Sequence, residues 1–226
     1  MLIHLKQVLD PESLEKCRAT LEQADWSDGR GSAGYLSQAV KRNRQLPDDH
    51  PAARELGEKI IRILDGNQQF TAAALPAKIV PPLFNCYEED NSYGRHVDGA
   101  IRPVFGTPHR VRTDISATLF LSEPDSYSGG ELVMEDTYGP VEVKLPAGDM
   151  VLYPGSSVHA VKPVTSGRRL AAFFWIQSMV RGDGRRSILY ELDKAIQQIA
   201  TETPEQEALV DLAGVYHNLL REWADP

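Results

Sequence analysis

The chain has 226 residues, 42% hydrophobic and 25% charged, which suits one globular domain with additions and excludes a low-hydrophobicity disordered chain. Its 32 acidic residues outnumber 24 basic ones, and the formal net charge of −8 disfavours nucleic acid or an anionic membrane as a partner. No apolar run reaches the length of a membrane span, and Met1-Leu2-Ile3-His4-Leu5-Lys6 lacks the apolar stretch of a signal peptide, so the expected location is cytoplasmic. Cys17 and Cys86 form no framework and read as packing residues with free thiols.

In chain order, residues 2–9 read as a short strand. Asp10-Pro11 supplies a helix cap and a first-turn proline, and Leu14, Cys17, Leu21 and Ala24 recur at helical spacing, so a helix is predicted over 11–24. The glycines between Asp28 and Gly34 read as a loop. Ala53, Leu56, Ile60 and Leu64 predict a second helix ending near Gly66. From about residue 76 the pattern becomes short β-prone runs: 78–87, 115–121, 131–135, 141–145, 150–153, 158–161 and 170–177. Gly129-Gly130, Gly139-Pro140 and Pro146-Ala147-Gly148-Asp149 supply turns between them. Strands without long intervening helices point to an antiparallel sandwich or barrel, and with its flanking helices the fold is mainly β (α+β).

After Arg181 the helical signal returns. Ile188, Leu189, Leu192, Ile196 and Ile199 form one stripe, Pro204 restarts the chain, and Leu209, Leu212, Tyr216, Leu219 and Trp223 form another. These two helices either cover a face of the β domain or build a homodimer contact. The basic residues Arg181, Arg185 and Arg186 read as a solvated patch. The expected organisation is a strand and helices over 1–77, a β domain over 78–178, and C-terminal helices over 179–226.

His96-Val97-Asp98 is the one His-x-Asp or His-x-Glu in the chain. Alternate residues on a strand share a face, so both side chains can reach one metal, with His159 arriving from a separate strand. Two imidazoles and one carboxylate leave three positions open, the arrangement of non-haem iron oxygenases. His4, His50, His109 and His217 lack such context and read as surface or packing residues. Ten residues beyond His159, Arg169 begins an apolar run in which alternation puts Arg169, Phe173, Trp175 and Gln177 on one face and Arg168 on the other. A guanidinium stays charged when partly buried and can grip a carboxylate with two parallel hydrogen bonds.

The order of these pieces carries a resemblance. Tyr87 and Tyr93 precede His96; Thr113 to Leu121 is followed by Gly129-Gly130-Glu131-Leu132; Pro146 to Tyr153 precedes His159; and Val164-Thr165-Ser166-Gly167-Arg168-Arg169 leads to Trp175. The stretch from Asn85 to Gln177 resembles the prolyl-4-hydroxylase-type iron and 2-oxoglutarate dioxygenases. Within them it resembles the bacterial PKHD-type hydroxylases, often linked to iron uptake. Two departures stand out: Glu88-Glu89-Asp90-Asn91 occupies a place where relatives often carry Pro-Gly, and Arg169 stands where many carry Lys.

The resemblance implies a double-stranded β-helix (jelly-roll) core. It implies that His96, Asp98 and His159 bind Fe(II), that Arg169 holds the distal carboxylate of 2-oxoglutarate, and that L-ascorbate rescues oxidised iron. Tyr87 reads either as a hydrogen-bond donor to 2-oxoglutarate or as a core tyrosine. The implied reaction couples decarboxylation of 2-oxoglutarate to succinate and CO2 with O2-dependent hydroxylation of a small-molecule or amino-acid-like substrate. Related halogenases lack the carboxylate that Asp98 provides, which favours hydroxylation here. Two other readings use the same triad: a zinc hydrolase or cupin-like enzyme, which has no use for Arg169, and a non-catalytic iron sensor. The loops over 88–95, 99–112 and 30–45 are expected to frame the substrate pocket, with Arg102, Arg110 and Arg112 either solvated or facing an anionic substrate.

Overall fold

A computed structural model describes residues 1–203 and 207–225, so Pro204, expected to restart the chain between two helices, lies outside the described residues. Two antiparallel sheets face each other across an interior cavity. The larger runs in the order Ile3–Leu5, Met150–Pro154, Ile115–Phe120, Arg169–Ser178, Leu83–Tyr87, Arg44–Gln45 and Ser27–Asp28, and Pro76–Ile79 pairs with the far end of Arg169–Ser178. The smaller runs Gly139–Val143, Leu132–Asp136, His159–Val161, Ser92–His96 and Lys41–Arg42. This is the predicted mainly β jelly roll with flanking helices.

Side-chain alternation gives each face of the large sheet its own partner. Ile115, Ala117, Leu119, Leu170, Ala172, Phe174, Ile176, Phe84 and Cys86 point outward into a core shared with the helices Pro11–Glu22, Pro51–Asp65 and Gln68–Ala74. The opposite face carries Phe120, Val151, Tyr153 and Tyr87, which pack on Leu132, Met134, Val143 and Val161 of the small sheet. Polar Ser116, Thr118, Asn85 and Arg169 share that inner face and line a cavity between the sheets. The sheet is therefore apolar toward the helices and mixed toward the interior.

The helices start where short polar side chains can accept backbone donors. Asp10 accepts from the Ser13 N–H at 2.9 Å, the His50 ring from Ala52 N–H at 3.2 Å, and Asn67 from Phe70 N–H at 2.8 Å. The second helix ends at Asp65 with Gly66 as its cap, as expected. The helix Gln68–Ala74 was not expected; at seven residues it is too short to show periodicity.

Several boundaries differ from the sequence reading for physical reasons. The first strand stops at Leu5, because Gln7 turns the chain with a φ of 49° and donates its N–H to Asp149 at 2.8 Å. The run 78–87 splits into Pro76–Ile79 and Leu83–Tyr87, since Pro81-Pro82 offers no N–H to the ladder. The glycine-rich loop contains a 3-10 turn, Gly29–Ser32, and a single-turn helix, Tyr35–Gln38. Arg186 is not solvated: it is 2% exposed and donates to Val180 O, Arg181 O and Asp183.

The C-terminal helices Asp183–Glu202 and Glu207–Trp223 pack on each other and on Leu75 and Val180 through Leu189, Tyr216, Leu219, Leu220 and Trp223. No helix among the described residues is long and apolar enough to cross a membrane. Cys17 and Cys86 are both buried and free, as the sequence suggested, and burial pushes the Cys17 thiol up to about 12. Leu64, fully buried between helix and sheet, should lose about 2–5 kcal/mol of stability on replacement by Ala, read by urea denaturation. Metal binding by the folded variant should be unchanged, because Leu64 lies on the outer face of the large sheet.

Candidate active site

Antiparallel register brings the distant histidines together. His159 pairs directly with His96 across the small sheet, and Met134 flanks His159 on the other side. His96 closes its strand, so Asp98 lies just past the strand end and not on it, contrary to the alternation argument. The turn still delivers the carboxylate: Asp98 Oδ1 is 3.9 Å from His96 Nε2, and Oδ2 is 3.8 Å from His159 Nε2. Each of the three residues offers a ligand atom within 4.8 Å of the others. Such spacings are too long for hydrogen bonds and fit three donors around one ion.

Both imidazoles are oriented by backbone. Nδ1–H of His96 donates to Gly94 O at 2.8 Å, and Nδ1–H of His159 donates to Ser157 O at 3.0 Å. A carbonyl can only accept, so Nδ1 carries the proton in each ring and Nε2 is the nitrogen turned toward Asp98. Burial, reinforced by the adjacent His159, pushes the His96 pKa down to about 4, so its ring is neutral and ready to ligate at neutral pH. Ser116 Oγ donates to Asp98 Oδ2 at 2.7 Å and fixes that carboxylate. Tyr93 stacks on His96 with centroids 3.6 Å apart. Two imidazole nitrogens and one carboxylate are a donor set suited to Fe(II) with open positions.

Arg169 lies deeper in the same cavity. It is 1% exposed, and its guanidinium sits 5.3 Å from the Tyr87 ring and 5.2 Å from the Phe120 ring. Its Nε and Nη1 have no hydrogen-bond partner, and among the described residues no carboxylate lies within ion-pair distance. A buried cation with idle donors calls for an external carboxylate. Arg168 faces the other way, with its Nε 3.1 Å from Cys86 Sγ and its guanidinium against Trp26. Tyr87 pairs with Arg169 across the strands and is 1% exposed; burial raises its pKa and keeps its hydroxyl protonated. The structure thus makes Tyr87 both a core residue and a cavity-lining one.

The cavity has a volume of about 460 Å³ and joins the triad, Arg169 and Tyr87 to residues the sequence did not single out. These include Ser116, Asn85 and Lys41. Ser116 and Asn85 were legible only through strand alternation, and Lys41 through no sequence signal. Of the loops expected to frame the pocket, 30–45 and 99–112 do so, whereas 88–95 contributes only Tyr93. Arg102 lines the cavity, but Arg112 is paired with Asp114 at 2.7 Å.

Comparison with known proteins follows the same lines as the geometry. Residues 82–177 match the 2OG-Fe(II) oxygenase superfamily, and residues 183–225 match the PKHD-type hydroxylase C-terminal domain. A PKHD-type hydroxylase of Bordetella pertussis is 59% identical over 225 residues, covering 100% of both chains. The chain belongs to the PKHD-type hydroxylases. The PKHD-type hydroxylase PiuC of Pseudomonas aeruginosa is 52% identical, again over 100% of both chains. Among solved structures, a Pseudomonas putida prolyl-4-hydroxylase shares the fold with a TM-score of 0.53 at 19% identity, over 78% of this chain and 92% of that one. HygX from Streptomyces hygroscopicus, bound to nickel, 2-oxoglutarate and hygromycin B, gives 0.55 at 16% identity, over 78% and 82%. As a PKHD-type hydroxylase the chain is a 2-oxoglutarate-dependent enzyme of the iron(II) class.

Two substitutions test the geometry. Ser116→Ala should weaken divalent-metal binding by about 10–100-fold, measured by titration, because Asp98 loses its orienting donor. Gly130 has a φ of 68°, and a Cβ there would stand 3.0 Å from Arg169 Cδ. Gly130→Ala should therefore raise the KM for 2-oxoglutarate while leaving metal affinity near that of the parent.

Proposed function

We propose that His96, Asp98 and His159 hold Fe(II), that Arg169 anchors the distal carboxylate of 2-oxoglutarate, and that the chain hydroxylates a small-molecule or amino-acid-like substrate. The observation that carries this reading is one cavity holding both a three-donor cluster and a buried, unpaired guanidinium. When bound, iron and 2-oxoglutarate together supply an O2-derived oxidant for a C–H bond, with succinate and CO2 as by-products. The protein's part is placement. Gly94 and Ser157 carbonyls hold the two imidazoles, Ser116 holds Asp98, and Arg169 fixes the far end of the co-substrate. The protonated Tyr87 hydroxyl is a donor available to that same carboxylate. Phe120, Leu132, Val161 and Tyr153 keep the walls apolar and exclude water.

Further parts of this proposal rest on other support. Ascorbate as the reductant that restores Fe(II), and a link to iron uptake, rest on kinship with the PKHD-type group. A homodimer through the C-terminal helices is supported by Ile188, Val210 and Val215, which stay exposed there. A cytoplasmic location is supported by the two free thiols.

The test is the visible spectrum of anaerobic protein with Fe(II) and 2-oxoglutarate. Chelation should give a weak metal-to-ligand charge-transfer band. His159→Ala should abolish it, and Arg169→Ala should weaken 2-oxoglutarate binding by about 100-fold, the loss of two charge-assisted hydrogen bonds. Asp98→Gly should lose hydroxylase turnover. A folded, iron-loaded protein that gives no band would contradict the proposal and favour the zinc or sensor readings.

A further inference from the structure

The cavity contains more positive charge than iron and 2-oxoglutarate can account for. Its charged lining is Lys41, Arg102 and Arg169 against the single carboxylate of Asp98. A dication and a dianion cancel, so the loaded cavity keeps an excess of two cations. Arg169 is taken by the co-substrate in the reading above, which leaves Lys41 and Arg102 without a counter-ion.

Lys41 is 3% exposed, and its ammonium contacts only neutral acceptors, Ser32 Oγ at 2.7 Å and Gln45 Oε1 at 3.0 Å. It lies 5.2 Å from the Tyr93 ring centroid and 5.7 Å from that of Phe173. Arg102 stacks on Trp175 at 4.3 Å and donates to Ser32 O at 3.0 Å, while its Nε is buried with no partner. Among the described residues neither cation has a carboxylate within ion-pair distance. Burial lowers the Lys41 pKa to about 8, with Arg102 adding to the effect. An ammonium held this way is costly unless an anion arrives.

Position identifies what the pair would serve. Tyr93 is the ring stacked on His96, and Phe173 and Trp175 meet edge to face at 5.6 Å. Lys41 thus stands one ring away from the metal-ligand cluster, on the cavity wall that continues through Phe173 and Trp175 to Arg102. Wall and cations together form a subsite with apolar sides and a positive anchor, distinct from the Arg169 end.

We propose that Lys41 and Arg102 bind a carboxylate of the primary substrate, and that the substrate is a small carboxylate-bearing molecule whose apolar body lies against Tyr93, Phe173 and Trp175. This rests on the oxygenase reading for the orientation of the substrate, but the subsite can be measured without it. A carboxylate between the two cations satisfies idle donors and places the adjoining carbons beside the triad. The overall charge of −8 makes this a local device, not a general basicity of the chain.

The probes are phenylacetate and its neutral amide, phenylacetamide, titrated calorimetrically into anaerobic protein holding Fe(II) and saturating 2-oxoglutarate. Phenylacetate should bind at least about 10-fold more tightly than the amide, the equivalent of one charge-assisted hydrogen bond. Lys41→Met should remove that preference, and Arg102→Gln, altered nearer the surface, should reduce it in a chain whose buried ammonium is intact. The affinity for 2-oxoglutarate, read from its absorption band, should stay within about twofold of the parent in both variants. Equal or undetectable binding of the two probes overturns the proposal. So does loss of 2-oxoglutarate binding in Lys41→Met, which would assign Lys41 to the co-substrate. A preference for phenylacetate in protein that shows no 2-oxoglutarate band would uphold the subsite and overturn the oxygenase reading instead.

Discussion

The pairing of His159 with His96 is the constraint on which the rest of the site depends. It joins two segments over sixty positions apart in the chain and sets both imidazoles on one wall. A slip of one residue would turn either ring to the opposite face. The register is held by Met134 beside His159, by the apolar packing of Val161 and Leu132 between the sheets, and by Lys41–Arg42 on the other side of Ser92–His96. The same short edge strand that secures the register thereby buries Lys41 in the cavity. The geometry of the three-donor cluster and the burial of Lys41 are thus products of one sheet.

The large sheet plays the complementary part. Its outward face is mostly apolar and is backed by three helices, so its inward face can carry polar groups. Asn85 lies on that face, as do Ser116, Thr118 and Arg169, which are in register with Tyr153 and Trp175, with Phe173 and with Tyr87. Burying Arg169 with idle donors lowers stability, and the helix-backed core offsets it. The cavity is therefore built by a fold that is stable on one side and strained electrostatically on the other.

Much of this was legible in the sequence, and the limits have physical causes. The shared face of Arg169, Phe173 and Trp175 followed from strand alternation, His159 was read on a separate strand, and the fold class followed from turn residues between β-prone runs. The fold brings His96, Asp98 and His159 together, but Asp98 sits beyond its strand and is placed by a turn and by Ser116, which no period reveals. Strands of two or three residues, such as Lys41–Arg42 and Ile101–Pro103, are too short to show alternation. Lys41 reads as a surface lysine in any local window, because Tyr93 and Phe173, which bury it, are remote in sequence. Arg112 and Arg186 also look exposed in the sequence, although their near neighbours Asp114 and the Val180 carbonyl claim them.

The most direct test of the account is a crystal structure of the protein with redox-silent Mn(II) and 2-oxoglutarate. The account predicts the metal between His96 Nε2, His159 Nε2 and Asp98, with the distal carboxylate of 2-oxoglutarate about 2.7–2.9 Å from the guanidinium of Arg169. A metal bound outside this triad, or a distal carboxylate seated on Lys41 with Arg169 left unpaired, would contradict it.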